Sequence, residues 1–239
     1  MNSGSSSLKI YCDTANLSQV QQYSRQDSIS GFTTNPSIFR AQGINDYLVA
    51  AQQLAEAAFP KEVSLEVIAD DGREMLRQAR ILRSLGTNTF VKIPVTNTLG
   101  SSTSDIVEEL MKEGIPVNLT AVFTLNQIKK FLDSPISVET PLIISVFAGR
   151  LADIGQDPEE KVSKFVEFKK SVATNCRILW ASPREVFNVI QAKRSGCDII
   201  TLTPETIAKM DYFGKDPEVF SLETVRMFVD DANKSGYSF

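Results

Sequence analysis

One lysine, Lys92, stands inside the apolar run Phe90-Val91-Lys92-Ile93-Pro94-Val95. Side chains of a strand alternate between two faces, so Phe90 and Lys92 share one face while Thr89, Val91 and Ile93 share the other. If the face of Lys92 points into a protein interior, its charged form is disfavoured, its pKa falls, and a neutral amine becomes able to attack a carbonyl carbon. The structural alternative is a lysine at the strand rim, its stem covered and its head paired with Asp13 or Glu66. Those two carboxylates carry the same ambiguity, as proton carriers or as mere neutralising partners. The 239-residue chain has no histidine, which removes the commonest general base and the commonest metal ligand. Any catalysis must therefore use carboxylates, lysine, hydroxyls or water.

The elements that would position these groups are legible as short β-branched and aromatic runs: LKIYC, ISGFTT, EVSLEV, TFVKI, IPVNLT, LIISVF, RILWA and DIITL. Between most of them, apolar residues recur at i, i+3 and i+4 spacing, as in Tyr47 to Ala58, Gly72 to Leu85 and Lys161 to Ala173. Near-continuous apolar strands separated by helices pair in parallel, because a parallel strand cannot return through a tight turn. Such a series predicts an α/β protein, a single-domain (β/α)8 TIM barrel, for which about 250 residues is the usual length. A doubly wound open sheet is the alternative. Asp157-Pro158-Glu159-Glu160 reads as an N-cap, a first-position proline and acids favoured by the helix dipole.

No Gly-, Pro- or Ser-rich linker divides the chain, so residues 8–239 read as one domain preceded by a flexible tail over 1–7, MNSGSSS. From about residue 221 an amphipathic C-terminal helix follows the last barrel unit, with Leu222, Val225, Met227, Phe228 and Val229 apolar. It would pack on its own barrel or dock on a neighbouring subunit. Net charge is −4 with scattered basic residues, so no nucleic-acid partner is expected. No apolar run approaches the ~20 residues of a membrane span, and no charged-then-hydrophobic leader is visible, which predicts no membrane partner and a cytoplasmic location. The cysteines Cys12, Cys176 and Cys197 are widely spaced without a CxxC, so reduced, buried thiols are expected rather than disulfides or a zinc site.

In a barrel of this kind the active site lies at the carboxyl ends of the strands. Asp13 ends the first run; Thr33, Thr34 and Asn35 the second; Glu66 the third; Lys92 the fourth; Asn118 and Thr120 the fifth. Ser145 and Arg150 follow at the sixth, Ser182 and Arg184 at the seventh. Ser182-Pro183-Arg184, read as opening a helix, would offer a hydroxyl, a guanidinium and a helix N-terminus to one anion, with Arg150 completing a phosphate clamp. Surface arginines at helix starts are the plainer alternative. Thr33, Thr120 and Ser145 taken singly also fit ordinary barrel-layer or turn positions.

Taken together, IYCDTAN, GFTTNPSI, SLEV, VKIPVT, GIPVNLTAVFT, SVFAGRLADIG and GCDIITL resemble the small transaldolase family, which includes the fructose-6-phosphate aldolases. The motifs run in order from residue 8 to about 212, and TTNPS followed by VKIPVT is the most specific pair. The resemblance implies a class I mechanism without metal or cofactor, in which Lys92 forms a Schiff base with a ketose and Asp13 serves as general acid/base. It implies that Glu66 and Thr120 hold the water that moves protons during imine formation. Asn35, Thr33, Asn118 and Ser145 would contact the dihydroxyacetone unit, and Arg150, Ser182 and Arg184 the distal anion of a sugar phosphate.

By the same resemblance, the aldolase branch carries Gln at the position of Glu66 and Tyr at that of Phe147. This chain therefore favours transfer of the three-carbon unit over its release, since Phe147 has no hydroxyl to protonate a carbanion. Release of dihydroxyacetone and a catalytically silent sugar-phosphate-binding barrel are the rivals. Trp180 stands where a small residue is expected, and Pro183 interrupts the family's Ser-x-Arg setting. A bulky indole at the acceptor pocket would suit another acid, such as a sulfonated sugar. The resemblance further implies a homo-oligomer of barrels, with a decamer as one expected assembly.

Overall fold

The eight apolar runs become eight strands: β1 (Lys9–Asp13), β2 (Ile29–Thr33), β3 (Glu62–Glu66), β4 (Thr89–Pro94), β5 (Val117–Val122), β6 (Leu142–Val146), β7 (Cys176–Trp180) and β8 (Ile199–Leu202). The computed structural model describes residues 7–133, 139–171 and 175–237. The strands pair in chain order and close, β1 lying parallel to β8 with Lys9 opposite Ile199 and Tyr11 opposite Thr201. That pairing makes the fold a closed (β/α)8 barrel and excludes the open sheet. Residues 1–6 of the expected tail, and Ala173 at the end of one expected helix, lie outside the described residues.

Helices α1 (Leu17–Tyr23), α2 (Pro36–Ala41), α3 (Tyr47–Ala58), α4 (Gly72–Ser84), α5 (Ser104–Lys112), α6 (Leu125–Asp133), α7 (Ala148–Asp153), α8 (Pro158–Ser171) and α9 (Asn188–Arg194) connect the strands, and α10 (Pro204–Ala208) and α11 (Pro217–Ser235) follow β8. Their starts follow capping chemistry. Asp71 and Asp46 accept hydrogen bonds from the amides of Glu74 and Val49, three residues on, and Asp157 accepts from Glu159 and Glu160. In α11, Asp216 caps the amides of Glu218 and Val219 with Pro217 at the first turn, so the helix begins four residues before the expected boundary.

Alternation along the strands sorts the interior into two shells. Outward side chains such as Val63, Val91, Ile93, Leu119, Ile144 and Ile178 pack under the helices. Inward ones, Tyr11, Phe90, Ile143, Leu179, Ala181 and Ile199, fill the barrel itself. Arg177 donates to Glu62 at 2.9 Å, Tyr11 hydrogen-bonds the same carboxylate, and the guanidinium lies 5.1 Å over the Phe90 ring. Gly31 makes room for this plug, since a Cβ there would sit 2.7 Å from the Tyr11 ring. Cys12, Cys176 and Cys197 are buried and form no disulfide. Among the described residues, no helix is long and apolar enough to cross a membrane.

Helix α11 does not pack on its own barrel. None of its residues is buried, and Phe228 is 62% exposed. The 3-10 turn Lys209–Tyr212 and the extended Phe213 separate α10 from α11, and near the start of α11 Lys215 pairs with Glu223 and Tyr212 meets Phe220.

Candidate active site

Parallel register brings the sequence's polar outliers to one end of the barrel. Glu66 lies opposite Lys92, Lys92 opposite Asn118, Pro94 opposite Thr120, and Asp13 opposite Thr33. Lys92 shares the inward face of Phe90 and is only 6% exposed. Its Nζ donates to the Thr34 carbonyl at 2.6 Å and lies 2.8 Å from Glu66 Oε2. A buried ammonium persists only with such partners, and a carboxylate at hydrogen-bond distance can also take its proton. Glu66 is itself held, because the Tyr47 hydroxyl on α3 donates to its backbone carbonyl at 2.6 Å.

Asp13 faces this pair from β1. Burial pushes its carboxyl above the ordinary range; the Thr33 hydroxyl, donating at 2.7 Å, and the Lys92 charge pull the other way, and Glu66 adds to the rise. Asn118 is wholly buried, donating to Ser64 Oγ at 3.0 Å and accepting from Ser145 Oγ at 2.7 Å. This fixes which way its amide points. Thr120 Oγ1 is buried without a partner among the described residues. The next residue, Ala121, has φ 58°, and the pairing of β5 with β6 shifts register between Leu119 and Val122. Bulges and left-handed non-glycine residues at strand ends often aim side chains into sites.

Asn35 caps α2, its Oδ1 accepting from Ile38 at 3.0 Å, which leaves its amide NH2 for other partners. Phe147 borders the inner cluster, in ring contact with Phe123 at 5.8 Å, and the Arg150 guanidinium lies 6.0 Å over its face. Ser182 has φ 58°, and its carbonyl presses so closely on Gly149 that any Cβ there would collide. This contact joins the start of α7 to the loop after β7. Arg184 donates to Asp153 of α7 at 2.9 Å, with a second, shorter bond to the same carboxylate, and nearly half of its side chain is exposed.

Two expectations change here. No helix opens at Ser182-Pro183-Arg184: α9 starts at Asn188, whose side chain accepts from the amides of Arg184 at 2.7 Å and Glu185 at 3.1 Å. The N-terminus of α9 is therefore not at Ser182-Pro183-Arg184, where the sequence placed it as part of an anion site. Trp180 does not line the mouth either. It follows Cys176 and Ile178 on the outward face of β7, is wholly buried under the helices, and its indole N–H has no partner among the described residues.

Other mouth residues went unnoticed in the sequence. Ser64 and Thr201 both face inward, Thr201 in hydrogen-bond contact with Thr33. The signal was parity: Ser64 stands two before Glu66, and Thr201 two after Ile199 of the inner cluster.

Fold and site together define a (β/α)8 barrel with a lysine–carboxylate centre at the carboxyl ends of its strands. The chain belongs to the Transaldolase/Fructose-6-phosphate aldolase family, which it matches over residues 10–238. It is 32% identical over 203 residues to a probable transaldolase of Dehalococcoides mccartyi, covering 85% of this chain and 90% of that protein. A probable transaldolase of Nitrosopumilus maritimus is 34% identical over 204 residues, covering 85% of this chain and 87% of the other. In fold alone, the chain is similar to 3-hexulose-6-phosphate synthase from Salmonella typhimurium, with TM-score 0.56 and 17% identity over 82% of this chain and 89% of that one.

Proposed function

We propose that the chain is a class I transaldolase that moves a dihydroxyacetone unit from a ketose phosphate to an aldose through a Schiff base on Lys92. The observation that carries this reading is the Lys92 ammonium, buried in the barrel mouth and paired at 2.8 Å with Glu66. Glu66 accepts the proton of Lys92, and the neutral amine adds to the C2 ketone. Loss of the carbinolamine hydroxyl as water, protonated by way of Glu66 and the lone Thr120 hydroxyl, leaves the imine. Asp13 then takes the proton of the C4 hydroxyl. The C3–C4 bond breaks, its electrons pass into the iminium to give an enamine, and the aldehyde departs. The enamine attacks the carbonyl carbon of an arriving aldose while Asp13 returns its proton, and water then hydrolyses the new imine by the reverse of its formation, which releases the product ketose and the Lys92 amine.

Asn118, with its amide fixed by Ser64 and Ser145, suits the hydroxyls of the retained three-carbon unit. The free amide group of Asn35 suits them as well. Arg150, Ser182 and Arg184 gather where α7 meets the loop after β7, a fitting place for the distal anion once it competes with Asp153 for Arg184. Phosphate and sulfonate both fit such a clamp. A cytoplasmic homo-oligomer completes the proposal, because the exposed apolar residues of α11 call for cover by another copy.

The rival reading is an aldolase that releases dihydroxyacetone. Glu66 and Phe147 favour transfer. The test is to incubate the enzyme with fructose 6-phosphate, with and without an aldose acceptor: turnover should require the acceptor, and rapid stoichiometric release of dihydroxyacetone without it would overturn transfer. Parallel assays on 6-phospho and 6-sulfo ketoses identify the anion, and equal inactivity on both removes the anion clamp.

A further inference from the structure

Asp13 has to be a base when the C–C bond breaks and an acid when it re-forms, and the mouth holds a device suited to both. Thr33 Oγ1 lies 2.7 Å from Asp13 Oδ1 and in hydrogen-bond contact with Thr201 Oγ1. Both threonines are buried, side by side across β1, since Asp13 pairs with Thr33 on β2 and Tyr11 with Thr201 on β8. A hydroxyl has one proton to donate and lone pairs with which to accept. While Asp13 is ionised, the single proton of Thr33 goes to the carboxylate, so Thr201 must donate to Thr33. When Asp13 carries the proton on Oδ1, it donates to Thr33, and Thr33 turns its own proton to Thr201. The chain reverses without moving a heavy atom.

We propose that Thr201 is a positioning residue of the reaction, which through Thr33 holds Asp13 in one geometry in both of its protonation states. This rests on the reading of Asp13 as the acid/base. Without Thr201, the charge-assisted bond from Thr33 loses the donor behind it, and such bonds strengthen one another in a low-dielectric site. The ionised form of Asp13 suffers more than the neutral one, so the group should hold its proton to higher pH. The other charged groups facing Asp13 are Lys92 on β4 and Glu66 on β3; α10, packed against β1, directs Glu205 toward Cys12. None of these is altered by the substitution.

The experiment compares full-length wild type, Thr201→Val, Thr201→Ser and Asp13→Asn in pH profiles of kcat and kcat/KM, with borohydride trapping of the imine alongside. Thr201→Val, matched in shape, should lower kcat about 10-fold, the contribution of one hydrogen bond, with KM within about twofold and trapping intact. Its acid limb should move to higher pH, and Thr201→Ser should restore both. Should the valine variant fold poorly, Thr201→Ala must give the same shift. An unmoved acid limb and kcat in a variant that folds overturns the inference, provided that Asp13→Asn slows cleavage by about 10²-fold or more. Unimpaired cleavage by Asp13→Asn would instead overturn the assignment of Asp13, and with it the role given to Thr201.

Discussion

The two ends of one barrel use the same inward-facing periodicity for opposite purposes. At the amino ends of the strands, Arg177, Glu62 and Tyr11 satisfy one another, and Phe90, Ile143, Leu179 and Ile199 close the space around them. At the carboxyl ends, Lys92 meets Glu66, Asp13 meets Thr33, and Thr120 keeps a buried hydroxyl with no partner among the described residues. The lesson is that inward polar residues are not in themselves a site. Groups that pair with one another, as Arg177 does with Glu62 and Tyr11, hold the barrel together, whereas a hydroxyl with hydrogen-bonding capacity left over beside a lysine–carboxylate pair can take part in chemistry.

The largest effect that would break this comparison lies at the mouth. Lys92→Ala should lower transfer on the order of 10⁴-fold or more, with a native circular dichroism spectrum; retained turnover would place the nucleophile elsewhere. Next comes Asp13→Asn, for which steady-state rates should fall roughly 10²- to 10⁴-fold, the usual weight of a general acid/base, while the donor imine still forms.

The plug should respond in stability instead. Arg177→Met leaves Glu62 without its cation, and urea unfolding should report a loss of about 1–3 kcal/mol, less than a fully buried pair would cost because Glu62 is partly exposed. Its kcat should match wild type, and a fall comparable with that of Asp13→Asn would erase the distinction between the ends.

The smallest effect concerns pH. Folding raises the pKa of Asp13, so between its unfolded and folded values the native state binds more protons, and stability falls as pH rises through that window. Asp13→Asn, neutral throughout, should therefore be more stable than wild type at pH 7, an advantage that shrinks as pH drops into the ordinary aspartate range. Thermal melts at several pH values check the sign.

Much of this arrangement is written in strand parity. Phe90 with Lys92 and Asn118 with Thr120 can be assigned to one face by counting in twos, and parallel pairing does the rest. Parity fails where both neighbours are apolar: RILWA reads equally well with Trp180 in or out, and only the inward position of Leu179 decides it. It also fails across irregular pairing, as between β1 and β2, where the register shifts after Ile10. The loop after β7 resembled a helix start because Ser-Pro-Arg carries cap chemistry, yet the left-handed Ser182 and the side-chain cap of Asn188 delay α9. An amphipathic pattern likewise shows that α11 has an apolar face but not what covers it.

The most direct measurement is borohydride reduction of the enzyme in the presence of a ketose donor, followed by peptide mass analysis. The account predicts a reduced three-carbon or hexose adduct on the peptide containing Lys92, and none in Lys92→Ala. An adduct on another lysine, or none at all from an enzyme that turns over the donor, would contradict it.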